Sequence, residues 1–136
     1  MTKISLEEVE KIRSEAERLQ LSGRKLLNDT KLVIDECNGV GAEWMGFVCG
    51  VVSTLNPALF IPSCIHDLRY HHGGSDAERL AADAEWLANS MISIDDRYGW
   101  YNPMRYIMRK KASRYYNALR TAGSWAWTEP AETEEK

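Results

Sequence analysis

Gly73 and Gly74, followed at once by Ser75 and three residues later by Glu78, cut one long helical stretch into two. Gly73 suits the left-handed residue that ends a helix, and Ser75 with Glu78 forms a capping box that starts the next. Upstream, Pro62 suits a first helical turn, where its missing N–H costs nothing. Residues 62–90 therefore read as a helical hairpin turning near Gly74, with His66, Asp67 and Tyr70 together on its first helix. His66 lies eight residues before Gly74 and Asp83 nine after it, so an antiparallel pair holds the two at about the same height. Leu80, Ala84, Leu87 and Met91 fall at helical spacing and mark the inward stripe of the second helix; Asp83 lies one turn from both Leu80 and Leu87. An inward carboxylate needs a partner, because burying it unpaired costs several kcal/mol or more. His66 is the nearest candidate. Asp67 points roughly 100° away from His66, which leaves it for a second job such as holding a metal. The plainer reading of the same residues is a satisfied polar pair between two helices.

A chain of 136 residues is one domain, long enough to bury a core without staples. Its net charge of −3, with no large Lys/Arg cluster, argues against nucleic acid as a partner. Five Trp and six Tyr against two Phe suit a surface that meets lipid or protein, although filling a small core uses them too. Glu7, Glu8, Glu10, Lys11 and Arg13 make the N-terminus too charged for a signal peptide. The longest apolar run, 44–52, is interrupted by Gly46 and Gly50 and is too short to span a bilayer. The expectation is a protein that is cytoplasmic as made and reaches other compartments only by lysis or in a virion. Cys37, Cys49 and Cys64 form neither a disulfide framework nor a zinc-site spacing.

The remaining segments frame the hairpin. Ser5 and Glu8 form a capping box, and Leu6, Val9, Ile12, Ala16 and Leu19 make one apolar stripe before Gly23, predicting a helix over about 5–22. Residues 24–36 are predicted helical despite Asn28 and Asp29. The run Asp35, Glu36, Cys37, Asn38, Gly39, Val40, Gly41 predicts a loop with positive φ angles over 35–41. Such a loop can turn carbonyls toward one point, as calcium requires beside a carboxylate, or can be an ordinary helix-to-helix turn. Residues 42–53 read as a glycine-punctuated buried helix. Asn102 and Pro103 open a last helix over about 103–122, with Met104, Ile107, Met108, Ala112, Tyr115 and Leu119 on its inner side. Arg105, Arg109, Lys110, Lys111 and Arg114 make it the one basic helix, a solvated face able to meet anionic headgroups. Residues 129–136 form an acidic tail. No strand pattern is visible. The fold class is all-α, a single helical domain over 1–128 organised on an antiparallel pair, about 62–94, that carries His66, Asp67 and Asp83.

At Cys64, Ile65, His66, Asp67, Leu68, Arg69 and Tyr70 the chain resembles the Cys-x-x-His-Asp-x-x-Tyr signature of phospholipase A2 enzymes, most closely the small bacterial and fungal branch. Asp35, Glu36 and Cys37 look like that branch's Asp-x-Cys loop, and Asp83 looks like its second aspartate. Small phage and prophage proteins with a His-Asp-x-x-Tyr, Gly-Gly and Ala-Asp pattern are similar over a longer span. The resemblance implies calcium-dependent hydrolysis of a phospholipid acyl ester. His66 would take a proton from water, Asp83 would orient it, and the Tyr70 hydroxyl would steady Asp83. Asp35 and Asp67 through their side chains and Glu36 through its carbonyl would bind calcium, and Cys37 would pair with Cys64. A neutral-range base, a fixed tautomer and positive charge at the oxyanion are what attack by water on an ester needs.

Two function classes follow. In one the chain is a phospholipase A2-like hydrolase whose partner is a phospholipid or membrane surface. In the other it is a non-enzymatic, phage-type helical binding protein that keeps the scaffold and acts on a host protein.

Overall fold

The computed structural model describes residues 5–37, 57–122 and Trp127. Of the loop expected over 35–41, Asp35 and Glu36 instead end the helix Thr30–Glu36 and Cys37 caps it; residues 38–41, the helix expected over 42–53 and the acidic tail lie outside the described residues. The described residues form five α-helices, α1 (Leu6–Leu19), α2 (Thr30–Glu36), α3 (Phe60–His72), α4 (Asp76–Arg97) and α5 (Pro103–Ala122), with short 3-10 turns at Arg24–Asn28 and Pro57–Leu59. No strand occurs among them, so the chain is all-α as its patterning implies.

Local chemistry sets most of the boundaries. In α1 the Ser5 hydroxyl accepts from the Glu8 N–H at 3.2 Å while the Glu8 carboxylate accepts from the Ser5 N–H at 3.1 Å. The helix stops at Leu19, short of Gly23, because Gln20 takes the left-handed conformation, φ 55°, and turns its N–H back to the Ala16 and Glu17 carbonyls. Residues 24–36 are two elements rather than one helix. Asp29 interrupts them and caps α2, accepting from the Leu32 N–H at 3.2 Å. α3 begins at Phe60, two residues before Pro62, and ends at Gly73, whose φ is 70°. The capping box of α4 is formed, with Ser75 and Glu78 in contact at 3.0 and 3.2 Å.

α3 divides the interior in two. Its Cys64, Ile65 and Leu68 pack with Val9, Ile12, Ala16, Leu21, Leu27 and Val33. Its Tyr70 packs on the other side with Ala58, Leu59, Ala82, Trp86, Ile94 and, from α5, Met108, Ala112 and Leu119. A helix walled in on both sides has little need of a polar face, and Pro62 to His66, Leu68 and Tyr70 are all buried.

Three apolar stripes differ from their expected positions; on α1, Val9, Ile12 and Ala16 are buried but Leu6 is 64% exposed. On α4, Leu80 is 48% exposed and Ala84 faces solvent, while Arg79, Ala82, Asp83, Trp86, Asn89, Ser90 and Ile94 are buried. Asp83 does point inward, but on a largely polar face whose groups find partners across the hairpin. Trp86 Nε1 donates to Ser63 Oγ at 3.1 Å, and the Asn89 side chain exchanges hydrogen bonds with the Ser22 backbone at 3.0 and 2.9 Å. On α5, Met108, Ala112 and Leu119 are buried, yet Met104 and Ile107 stand 40% and 48% exposed. Asp95 draws Arg105 and Arg109 against α4 at 2.9 and 2.6 Å, and that rotation leaves Met104 and Ile107 outside.

Gly23 is where the N-terminal unit meets the hairpin. Its φ is 82°, and a Cβ there would lie 2.8 Å from Ile65 Cγ2 and 3.0 Å from the Glu85 carboxylate. Gly23→Ala combines a left-handed backbone with a clash and should lower unfolding free energy by about 1–3 kcal/mol. Urea denaturation checks this, and an unchanged midpoint would contradict the packing described.

Candidate active site

The hairpin brings His66, Tyr70 and Asp83 together. His66 Nε2 lies 2.7 Å from Asp83 Oδ1, and neither side chain has exposed surface. Tyr70, one turn after His66, donates its hydroxyl to the same Oδ1 at 2.7 Å. The His66 and Tyr70 rings lie 4.4 Å apart, and Trp127 meets the Tyr70 ring edge-on at 4.9 Å. Trp127 is itself held by its Nε1, which donates to the Gly74 carbonyl at 2.8 Å, so the hairpin turn also fixes the wall behind Tyr70.

Two arginines that the sequence reading passed over complete the cluster. Arg120 of α5 donates from Nη1 to Asp83 Oδ2 at 2.5 Å. Arg79, one turn before Asp83 and only 8% exposed, places Nη1 3.8 Å from the same oxygen. The Arg79 contact was open to discovery as an i, i+4 pair of opposite charge. Arg120 lies 37 residues from Asp83, and no local pattern points to it.

These contacts decide the electrostatics. Burial pushes the Asp83 carboxyl up, but the donors His66, Tyr70 and Arg120 outweigh it and hold the group below the usual carboxylate range. Burial, then the adjacent Asp83 carboxylate, pushes the Tyr70 phenol well above its ordinary value, so it stays a donor at neutral pH. An ionised Asp83 can only accept, so neutral His66 carries its proton on Nε2 and leaves a lone pair on Nδ1. That Nδ1 is buried and has no hydrogen-bond partner among the described residues. A nitrogen with an oriented lone pair beside a fixed carboxylate is chemically a general base. Ser63 Oγ is engaged by Trp86 Nε1, and among the described residues no serine or threonine hydroxyl pairs with His66.

The expected metal residues are less concentrated. Asp35 and Glu36 lie at the C-terminal end of α2, and Asp67 follows His66 on α3; all three are half-buried. His71 Nδ1 stands 3.4 Å from Glu36 Oε2, joining the last turns of α2 and α3 one turn beyond Asp67. The donor set is carboxylate and carbonyl oxygen, the kind calcium takes. Among the described residues, however, no three His, Cys, Asp or Glu side chains converge on one point, so a complete shell would draw on further donors. The Cys37–Cys64 bond is not formed. Cys37 carries a free, buried thiol whose sulfur lies 3.7 Å from the Cys64 carbonyl.

No family model, curated protein or solved structure matches the chain.

Asp83→Leu removes the anion but leaves two cations beside a buried face, and should cost about 3–5 kcal/mol in chemical denaturation. Asp83→Asn should cost less. The depressed carboxyl contributes stability that is present above its unfolded pKa, about 3.9, and is lost as pH falls through the lower folded value. Acid unfolding of Asp83→Asn should therefore be less steep with pH than that of the wild type below about pH 4. Equal slopes would mean that Asp83 is not the depressed group.

Proposed function

We propose that the chain is a phospholipase A2-like hydrolase that cleaves a phospholipid acyl ester with a water molecule activated by His66. One observation carries the reading: His66 gives Nε2 to an ionised, multiply held Asp83 and, among the described residues, keeps an unshared Nδ1. In the reaction Nδ1 takes a proton from water as the water oxygen attacks the ester carbonyl. Asp83 stabilises the imidazolium that results, and Tyr70 and Arg120 hold Asp83 in place while the charge moves. When the tetrahedral intermediate collapses, Nδ1 returns the proton to the departing glycerol oxygen, leaving a fatty acid and a lysophospholipid. Calcium, bound by Asp35, the Glu36 carbonyl and Asp67 with further donors, would supply positive charge to the carbonyl oxygen.

The competing reading, a phage-type helical protein that binds a host protein without catalysis, is favoured by a different observation. The His66 side chain has no exposed surface, and a water with its ester must reach Nδ1. Among the described residues no helix is long and apolar enough to cross a membrane, so neither reading rests on a spanning segment.

Hydrolysis of mixed phospholipid vesicles, with calcium and with chelator, separates the two. His66→Gln keeps an N–H for Asp83 but has no basic nitrogen, and should lower turnover at least about 100-fold while leaving a cooperative thermal transition. Undiminished hydrolysis by His66→Gln would remove His66 from the mechanism, and no hydrolysis by the wild type would favour the binding protein. Millimolar calcium should raise the melting temperature of the wild type, and Asp67→Asn should reduce that shift. A shift unaffected by Asp67→Asn would take Asp67 out of the ligand set.

A further inference from the structure

We infer that the corner where α4 turns into α5 docks the protein on a bilayer that carries anionic lipid. Trp100 and Tyr101 are each 75% exposed there, beside the exposed Met104 and Ile107. Solvent contact on four large apolar side chains at one corner is unfavourable unless something covers them. The turn that presents them is braced. The Asn102 N–H donates to the Gly99 carbonyl at 2.9 Å, the Asn102 side chain accepts from the Met104 N–H at 2.9 Å, and the Tyr106 hydroxyl donates to the Trp100 carbonyl at 2.8 Å. Trp100 and Tyr101 also meet edge to face at 6.0 Å.

Charge selects the occupant. Between Asp96 and Glu129 the chain has seven Lys or Arg residues and no Asp or Glu, although it has 20 acidic residues in all. Asp95 answers Arg105 and Arg109, and Asp83 answers Arg120. Lys110, Lys111 and Arg114 are exposed and make no ion pair among the described residues. Lys111 and Arg114 continue the outward stripe begun by Met104 and Ile107, which gives an apolar tip with cations directly behind it. Trp and Tyr at the headgroup level with Lys or Arg beside them is the chemistry of a lipid–water interface. A second copy placed by a two-fold axis at this corner fits poorly, because its α5 offers another cationic stripe and no acid to answer it. Fourteen residues of α4, about 21 Å of helix, separate this corner from Asp83, so it is not the rim of the His66 site.

The test is sedimentation of the full chain with vesicles of ether-linked phospholipid, which has no acyl ester, so docking is read whether or not His66 is catalytic. Vesicles containing phosphatidylserine should carry the protein down, and phosphatidylcholine alone should do so weakly. Reversing Lys110, Lys111 and Arg114 together to Glu should weaken binding at least about tenfold, and so should raising salt. Trp100→Ser with Tyr101→Ser should weaken it without altering helicity, since both side chains are exposed. Undiminished sedimentation of either variant overturns the inference, as does failure of the wild type to bind anionic vesicles. Concentration-dependent self-association abolished by Trp100→Ser would make the occupant a second copy and overturn it equally. Docking on the ether-linked vesicles, together with no hydrolysis of ester-linked vesicles with the same headgroups, would leave this corner standing and remove the hydrolase reading instead.

Discussion

The Asp83 carboxylate is a full negative charge with no solvent contact, and much of the fold can be understood as the means of keeping it there. Removing such a charge from water is costly, and only geometry that brings several donors to both oxygens offsets the cost. One oxygen takes His66 and Tyr70, both from α3; the other takes Arg120 from α5, with Arg79 of its own helix behind. Three helices are thereby held in one relative register. The same contacts impose the proton position on His66. Stability and chemistry draw on one set of bonds, which is why a change at position 83 touches both.

Next in importance is the place of α3 between two interiors. Its small and aliphatic positions face the N-terminal unit, and its Tyr70 faces α4 and α5. His66 therefore sits in close-packed surroundings rather than on a flexible surface segment, with its ring orientation set by packing as well as by Asp83. Polar links across the hairpin continue the pattern: Arg69 grips Glu85 with two hydrogen bonds of 3.0 Å, and Asn89 clamps the backbone at Ser22. Directional bonds of this kind fix how far one helix can slide along another. That matters for a base whose partner must stay within hydrogen-bond reach.

Charge is distributed with similar economy. The basic residues of α5 divide between those spent inside, on Asp83 and Asp95, and those left facing out. The inward arginines set how α5 is rotated on α4, and the rotation determines which apolar residues remain uncovered. The exposed corner is thus a consequence of the ion pairs behind it.

The capping boxes that start α1 and α4 and the Gly73–Gly74 turn were legible in the sequence, because such signals act within a few positions; the end of α1 at Gln20 and the break at Asp29 were not. The pairing of His66 with Asp83 was legible too, since counting outward from a turn measures height along an antiparallel pair. What the chain alone could not reveal was rotation. Leu80, Ala84, Met104 and Ile107 satisfy helical spacing as well as the residues that are actually buried, and only the neighbouring helix chooses between adjacent stripes. The disulfide implied by resemblance is not formed, since a shared motif places two cysteines in sequence without fixing the geometry of their sulfurs. Arg120 entered the site from 37 residues away. Spacing and capping are local and so are written in the sequence; the rotation of each helix and the counter-ions of a buried charge arise from long-range packing, and only the tertiary structure decided them.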